Sequence, residues 1–281
     1  MELVLHAGDI MGSGPCTDRV YRERFDLFQQ FHHPFIYTIG DNEWTDCHRE
    51  ENGQYYPLER LDFLRSVFFS NPSRSSGGRP IPVRSQSAIV GFEPFVEHMI
   101  FFHNRIVFGT LHVVGSNNGL APWSGIDPDD AFDHPRRDRL EEFEAREKAA
   151  THWLTEIFRV ARESESPGIV VLIQANPGFE LAPDEEGRAG FNTFVKTLGN
   201  LMLESDIPVL LAHGHIHYLL IDKPFHPMTI DGHEEKVRRL IRVQTPGSPF
   251  VRWVKVTIDP QSPEVFHFVS PYLHKMDGIP W

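Results

Sequence analysis

Four continuous apolar runs along the chain share one design. Each is rich in Val, Ile, Leu or Phe, and each stops abruptly at a short turn of small and polar residues. Residues 3–5 lead into His6-Ala7-Gly8-Asp9, and residues 35–39 into Gly40-Asp41-Asn42-Glu43. Residues 169–173 lead into Gln174-Ala175-Asn176-Pro177, and residues 207–211 into Ala212-His213-Gly214-His215-Ile216-His217. Runs without polar alternation suit strands buried on both faces, as in a sheet covered by helices. In open α/β sheets ligands bind beyond the carboxyl ends of the strands. Carboxylates, amides and imidazoles therefore stand at the four places where such a fold assembles a site.

Between these runs the spacing becomes helical. Residues 21–31 carry Phe25, Leu27 and Phe28, and residues 57–69 carry Leu58, Leu61, Leu64 and Phe68. The clearest helix covers 140–163. Ala149, Trp153, Leu154, Ile157, Phe158 and Ala161 share one face, with Glu and Arg on the other. A further helix is expected over 191–204. Residues 99–102 and 106–114 flank His103-Asn104-Arg105 as a hairpin, and 240–243, 250–258 and 265–269 form a β-rich tail. Two stretches, 71–82 and 120–135, read as loops. The order of elements predicts an α/β fold of two packed mixed β-sheets flanked by helices.

Length and composition narrow the classes of function. A chain of 281 residues with 40% hydrophobic and 23% charged residues is ordinary for a globular protein. No apolar run approaches the ~18 residues of a membrane span. A net charge of −12 argues against a general nucleic-acid binder, which needs a basic face. Bound cations can reverse the local field of an acidic protein, so a phosphorylated substrate is not excluded. No leader is visible at the start, which reads as soluble and cytoplasmic; an export signal further upstream would reverse that. Oligomeric state is not legible.

Gly214-His215-Ile216-His217 puts two imidazoles two residues apart on a turn after a buried strand, where they can face neighbouring metal ions. The two Gly-Asp turns supply carboxylates that can bridge cations. Two cations ~3.5–4 Å apart clamp a phosphate and activate a water. The plainer alternative is that Asp9 and Asp41 cap the helices that follow.

Taken together these turns resemble the calcineurin-like metallophosphoesterases, whose pattern runs D-x-H, G-D, G-N-H-[D/E], a His after a strand, and G-H-x-H. Gly8-Asp9 matches the second motif, Gly40-Asp41-Asn42-Glu43 is a variant third motif, and Gly214 to His217 matches the fifth. The resemblance spans nearly the whole chain and implies an αββα sandwich, a single domain over residues 1–281 that lacks the family's first strand. It implies one or two divalent ions (Mn, Fe or Zn) and attack on a small phosphate mono- or diester by metal-activated water. Asp9 would bridge the metals, Asp41 would replace the family's Asn ligand, His215 would bind the same ion and His217 the other. Asn42 and His215 would contact the phosphoryl group. The chain also departs from the family. D-x-H has no counterpart, Asn42 replaces the His that serves the leaving group, and the fourth-motif His falls near Gln174, Ala175 or Asn176. Gln174 or Asn176 can offer an oxygen ligand and Ala175 cannot. The alternative function is a catalytically impaired relative that acts as a binding module.

Other features take bland readings. Gly12-Ser13-Gly14-Pro15 lacks the Lys of a P-loop. The segment Gly115-Ser116-Asn117-Asn118-Gly119 follows a strand, where its amides can stand near a substrate, but a plain turn is the first reading. His6, His112 and His213 read as core histidines, and Trp44 and Trp123 as packing residues. Cys16 and Cys47 each follow a Gly-Asp turn by a few residues; two free thiols and one disulfide joining the turns both fit.

Overall fold

The computed structural model describes residues 2–225 and 237–269. The first strand, β1 (Val4–His6), leads through the Gly8-Asp9 turn to helix α1 (Asp18–Gln29), which the Thr17 hydroxyl caps by accepting from Val20 N. Strand β2 (Phe35–Tyr37) pairs in parallel with β1. Helix α2 (Pro57–Phe68) starts with proline in its first turn, where the missing N–H is not needed. Next come β3 (Arg84–Ser85), β4 (Met99–His103) and β5 (Ile106–Thr110). The β4–β5 hairpin turns at Asn104 and Arg105, both with positive φ, as a tight turn between twisted strands requires. Helix α3 (Arg137–Glu163), β6 (Ile169–Leu172), α4 (Asn192–Glu204) and β7 (Val209–His213) follow. The chain continues as β8 (Leu220–Asp222), β9 (Leu240–Gln244), β10 (Lys255–Ile258) and β11 (Phe266–Val269).

Seven strands form one mixed sheet in the order β3-β4-β5-β6-β7-β9-β8, with β5, β6, β7 and β9 parallel. Its central strands are buried throughout, and their side chains divide between two cores. On one face Val107, Val171 and Leu211 pack with Trp153, Leu154 and Ile157 of α3 and Leu198 and Met202 of α4. On the other Phe108, Val170, Leu172 and Leu210 join Phe35 and Ile36 of β2, Phe28 of α1, and Leu61, Leu64 and Phe68 of α2. The same core takes in Val256 and Ile258 of β10 and Phe266 of β11. Thr38 Oγ1 donates to Leu111 O at 2.9 Å, joining the end of β2 to the end of β5.

The sequence expectation of an α/β fold is met, and the predicted helical face of α3 is the face it buries. The second sheet is not one continuous ladder among the described residues: β1–β2 is a parallel pair and β10–β11 an antiparallel pair. The expected strand over 250–258 shortens to Lys255–Ile258. Phe250, Val251 and Trp253 face solvent after a turn in which Phe250 N donates to Gly247 O.

Three histidines are held neutral in these cores. Burial pushes His6, His98 and His112 down to about 4 from an ordinary 6.5. The unfolded chain takes up these protons as pH falls through 6.5, while the folded chain resists until about 4, so acid favours unfolding across that window. Across that window each of these histidines is expected to take about 1.4 kcal/mol per pH unit from the unfolding free energy measured in urea, against an opposite contribution from the raised Glu43 and Asp46 carboxyls. A His98→Gln variant whose unfolding free energy falls with acid as steeply as that of wild type would contradict this burial.

Candidate metal centre

Strands β1, β2, β5, β6 and β7 end on one side of the molecule, and their turns meet there. The carboxylates of Asp9 and Asp41 and the imidazole of His215 have ligand atoms within 4.8 Å of one another. Asp9 leaves β1, Asp41 leaves β2 and His215 leaves β7, so the three groups are far apart in sequence and joined only by the fold.

The turns are locally strained. Asp9 has φ 57°, Ser116 φ 51°, Asn117 φ 54°, Asn118 φ 54°, His215 φ 75° and His217 φ 66°. Left-handed backbone at non-glycine residues is uncommon and gathers at functional sites. Glycine supplies the close approaches. A Cβ at Gly40 would lie 2.3 Å from Asp9 Oδ1, and one at Gly115 would lie 2.2 Å from both Asp41 Oδ2 and His215 Cε1.

One buried carboxylate holds the first two turns together. Glu43 Oε1 accepts from Gly40 N at 2.6 Å, from Tyr37 Oη at 2.7 Å and from Asp9 N at 3.2 Å. Glu43 Oε2 has no partner. Burial and the charge of Asp41 push this carboxyl up to about 7 against the hydrogen bonds from Tyr37 and Gly40. The disulfide Cys16–Cys47, with Cα atoms 5.8 Å apart, ties the segments after the same two turns, so the paired alternative is the one the structure takes. Tyr21 Oη donates to Glu43 O at 2.7 Å and fastens α1 to them.

Gln174 stands at the centre of the cluster. Its Oε1 accepts from Gly115 N at 2.6 Å. Its Nε2 faces Asp9 Oδ1 at 3.1 Å, Asp9 Oδ2 at 2.9 Å, Asp41 Oδ1 at 2.9 Å and His215 Nδ1 at 3.1 Å. An amide nitrogen has two hydrogens. Three carboxylate oxygens thus converge on a group that can satisfy two of them, with the His215 ring beside them. Turning the amide over would set its oxygen against the carboxylates and its nitrogen against the Gly115 N–H. Gln174 is therefore seated as a donor, and its oxygen is engaged away from the cluster. Asn176, the other proposed oxygen ligand, accepts from Gly178 N at 3.2 Å.

The charges tell the same story. Burial and the neighbouring Asp41 and Glu43 hold the Asp9 carboxyl well above the usual range. Burial alone would raise Asp41 as well, but His215 beside it brings it below its ordinary value. Burial would lower His215, and Asp41, 3.6 Å from its Nδ1, raises it instead. Asp46 is pushed up to about 6 by burial and by Asp41, although Arg49 pairs with it at 2.9 Å. Carboxylates outnumber cations here, and two carboxylates with an imidazole are a donor set that suits a divalent cation, although the Gln174 amide nitrogen stands among the same three groups.

His217 does not belong to this group. Its ring lies against Gly247, where a Cβ would come within 2.8 Å of Cδ2. Asn42 Nδ2 donates to Met11 O at 3.2 Å, which binds it to the loop after Asp9. Trp44 and Trp123 are buried packing residues, as are His112 and His213. The sequence reading passed over Ser116. The segment taken for a plain turn is a left-handed one, and Ser116 Oγ reaches Asp46 Oδ1 at 2.7 Å and Asp41 Oδ2 at 3.2 Å. Its position after a buried β5, like the other four turns, was the available signal. No protein-family model and no curated protein matches the sequence.

Two outcomes follow from this geometry. Gly115→Ala drives a methyl group into Asp41 and His215 and is expected to weaken Mn binding at least tenfold by titration calorimetry, with a small change in melting temperature. Cys16→Ser/Cys47→Ser opens a 31-residue loop closure and is expected to lower stability by about 3–4 kcal/mol in urea. A midpoint equal to that of the oxidised wild type would show that the linkage carries no stability.

Proposed function

We propose that the protein is a metal-dependent phosphoesterase acting on a small phosphate mono- or diester. The observation that carries this reading is the convergence of Asp9, Asp41 and His215 from three separate strand ends on a point short of positive charge. A seven-stranded sheet with helices on one face and β1–β2, β10–β11, α1 and α2 on the other supports the metallophosphoesterase-like αββα sandwich. So does the placement of the site beyond the strands' carboxyl ends.

Asp9, Asp41 and His215 would hold a divalent cation such as Mn, Fe or Zn. When bound, such an ion draws in a phosphoryl oxygen and makes a water acidic enough to attack phosphorus. The chain's own contribution is to fix those three groups. Glu43 pins the Asp9 backbone, Ser116 and Gln174 orient Asp41, and the disulfide limits how far the two Gly-Asp turns can separate. Asn42 cannot release a proton, so the leaving group must depart without help from that position. His217 serves a second ion in the family pattern, but the cluster described here accounts for one.

A second reading has specific support. Gln174 fills the cluster with an amide donor, and Asn42 is occupied with Met11 O. Both fit a binding module that kept the fold and lost turnover. The disulfide favours an oxidising compartment under either reading. Among the described residues no helix is long and apolar enough to cross a membrane.

Elemental analysis and a panel of phosphate esters separate the two readings. Near-stoichiometric metal is expected in the wild type and none in Asp9→Asn/His215→Ala. Hydrolysis should favour esters of acidic alcohols, such as nitrophenyl phosphates, by 10²-fold or more over alkyl esters. Metal content that is unchanged in the double variant would refute the site. Metal bound without turnover of any ester would leave the binding module.

A further inference from the structure

The turn that carries Asp41 runs on into a short helical stretch that stays beside the cluster. Asp41 O accepts from Trp44 N at 3.3 Å and from Asp46 N at 3.0 Å, and Asp46 O accepts from Arg49 N at 3.1 Å. The Arg49 carbonyl in turn accepts from Asn52 N at 3.0 Å and from Gln54 N at 3.1 Å. Cys47, between Asp46 and Arg49, is tied to Cys16. The backbone from Asp41 to Arg49 is therefore fixed at both ends and stapled in the middle.

The Arg49 side chain is held on one side and open on the other. Its Nη1 pairs with Asp46 Oδ2 at 2.9 Å. The other oxygen of that carboxylate, Asp46 Oδ1, lies 2.7 Å from Ser116 Oγ, and the same hydroxyl lies 3.2 Å from Asp41 Oδ2. One hydroxyl thus separates the carboxylate that holds Arg49 from a carboxylate of the Asp9–Asp41–His215 cluster. The guanidinium is also close enough to His215 for its charge to add to the effect of burial and oppose the rise that Asp41 imposes on that imidazole. Yet 43% of the Arg49 side chain is exposed, against 4% for Asp46. A guanidinium has five N–H donors. Asp46 is the only ion-pair or hydrogen-bond partner of this side chain among the described residues, so most of its donors face solvent.

An oxyanion that approaches Asp9, Asp41, Glu43 and Asp46 meets four carboxyl groups on a protein of net charge −12, and a fixed cation beside them offsets that repulsion. We propose that Arg49 binds the anion at this site: its solvent-facing donors take phosphoryl oxygens of the substrate and of the product, while Asp46 holds the guanidinium in place. The inference rests on the phosphoesterase reading for its ligand class, and on the exposed donors beside the cluster for its residue. A guanidinium suits a phosphate better than an ammonium does, because its planar donors match paired oxygens.

Inorganic phosphate is the probe, titrated calorimetrically into Mn-loaded wild type, Arg49→Gln and Arg49→Lys at constant ionic strength. Phosphate affinity is expected to fall about tenfold or more in Arg49→Gln and by a smaller factor in Arg49→Lys, with Mn affinity unchanged in both. The KM for nitrophenyl phosphate should rise by the same factors, with kcat changing less. Equal phosphate affinity in wild type and Arg49→Gln overturns the proposal, as does a wild type that binds no phosphate. Loss of Mn together with phosphate in Arg49→Gln also overturns it, since Arg49 would then act by holding the cluster rather than the anion. Should Arg49→Gln fail to fold, Arg49→Lys decides, and an affinity equal to wild type overturns the proposal. Phosphate binding that depends on Arg49 in a protein that hydrolyses no ester upholds the anion site and removes the hydrolase reading. Metal-dependent hydrolysis with KM and phosphate affinity indifferent to Arg49 removes the anion site alone.

Discussion

Glu43 Oε1 accepts three hydrogen bonds, from Asp9 N, Gly40 N and Tyr37 Oη, and through them it sets the spacing of the first two site turns. Each donor belongs to a different part of the local structure. Asp9 leaves β1, Gly40 opens the turn after β2, and Tyr37 is the last residue of β2 itself. A buried carboxylate with three donors on one oxygen is held in a single orientation, because any rotation leaves buried N–H groups unmatched. Gly40 lies so close to Asp9 that a side chain there would overlap its carboxylate. The Cys16–Cys47 linkage then closes the same pair of segments covalently. The positions of Asp9 and Asp41 are therefore consequences of a third acid that stands outside their cluster with His215.

The second constraint is charge. Asp9, Asp41, Glu43 and Asp46 gather beside one imidazole and one arginine, His215 and Arg49. Like charges brought out of water disfavour ionisation, and the raised carboxyls of Asp9, Glu43 and Asp46 show it. Gln174 relieves part of this by placing an amide N–H₂ among the acceptors. It cannot relieve all of it, since two hydrogens serve three carboxylate oxygens.

Much of this was written locally. The strand runs announced themselves by continuous apolarity, since burial on both faces leaves no polar position to alternate. Helix α3 announced its buried face through the spacing of Ala149, Trp153, Ile157 and Ala161, because 3.6 residues per turn brings them into one stripe. Asp9, Asp41 and His215 were legible because each sits on a short turn after such a run. The exposed Phe250–Trp253 segment misled for the same reason: apolar residues read as strand, and only neighbouring backbone decides whether a ladder forms.

Tertiary structure decided the rest, wherever the meaning of a residue lies in a partner far along the chain. Whether Cys16 meets Cys47 depends on the approach of two turns that share no local signal. Gln174 was one of three residues near the place of the family pattern's fourth histidine, and only the fold shows its oxygen turned to Gly115 and its nitrogen to the carboxylates. Ser116 looked like an ordinary turn residue until its left-handed backbone aimed the hydroxyl at Asp41 and Asp46. Arg188 was one arginine among many until packing buried its Nε and Nη1 with no hydrogen-bond partner among the described residues. The sequence by itself determined which chemical groups stand at the strand ends, because periodicity and turn composition are local. The fold alone decided how those groups are oriented and which are left unpaired, because hydrogen bonds and desolvation are settled by distance in space.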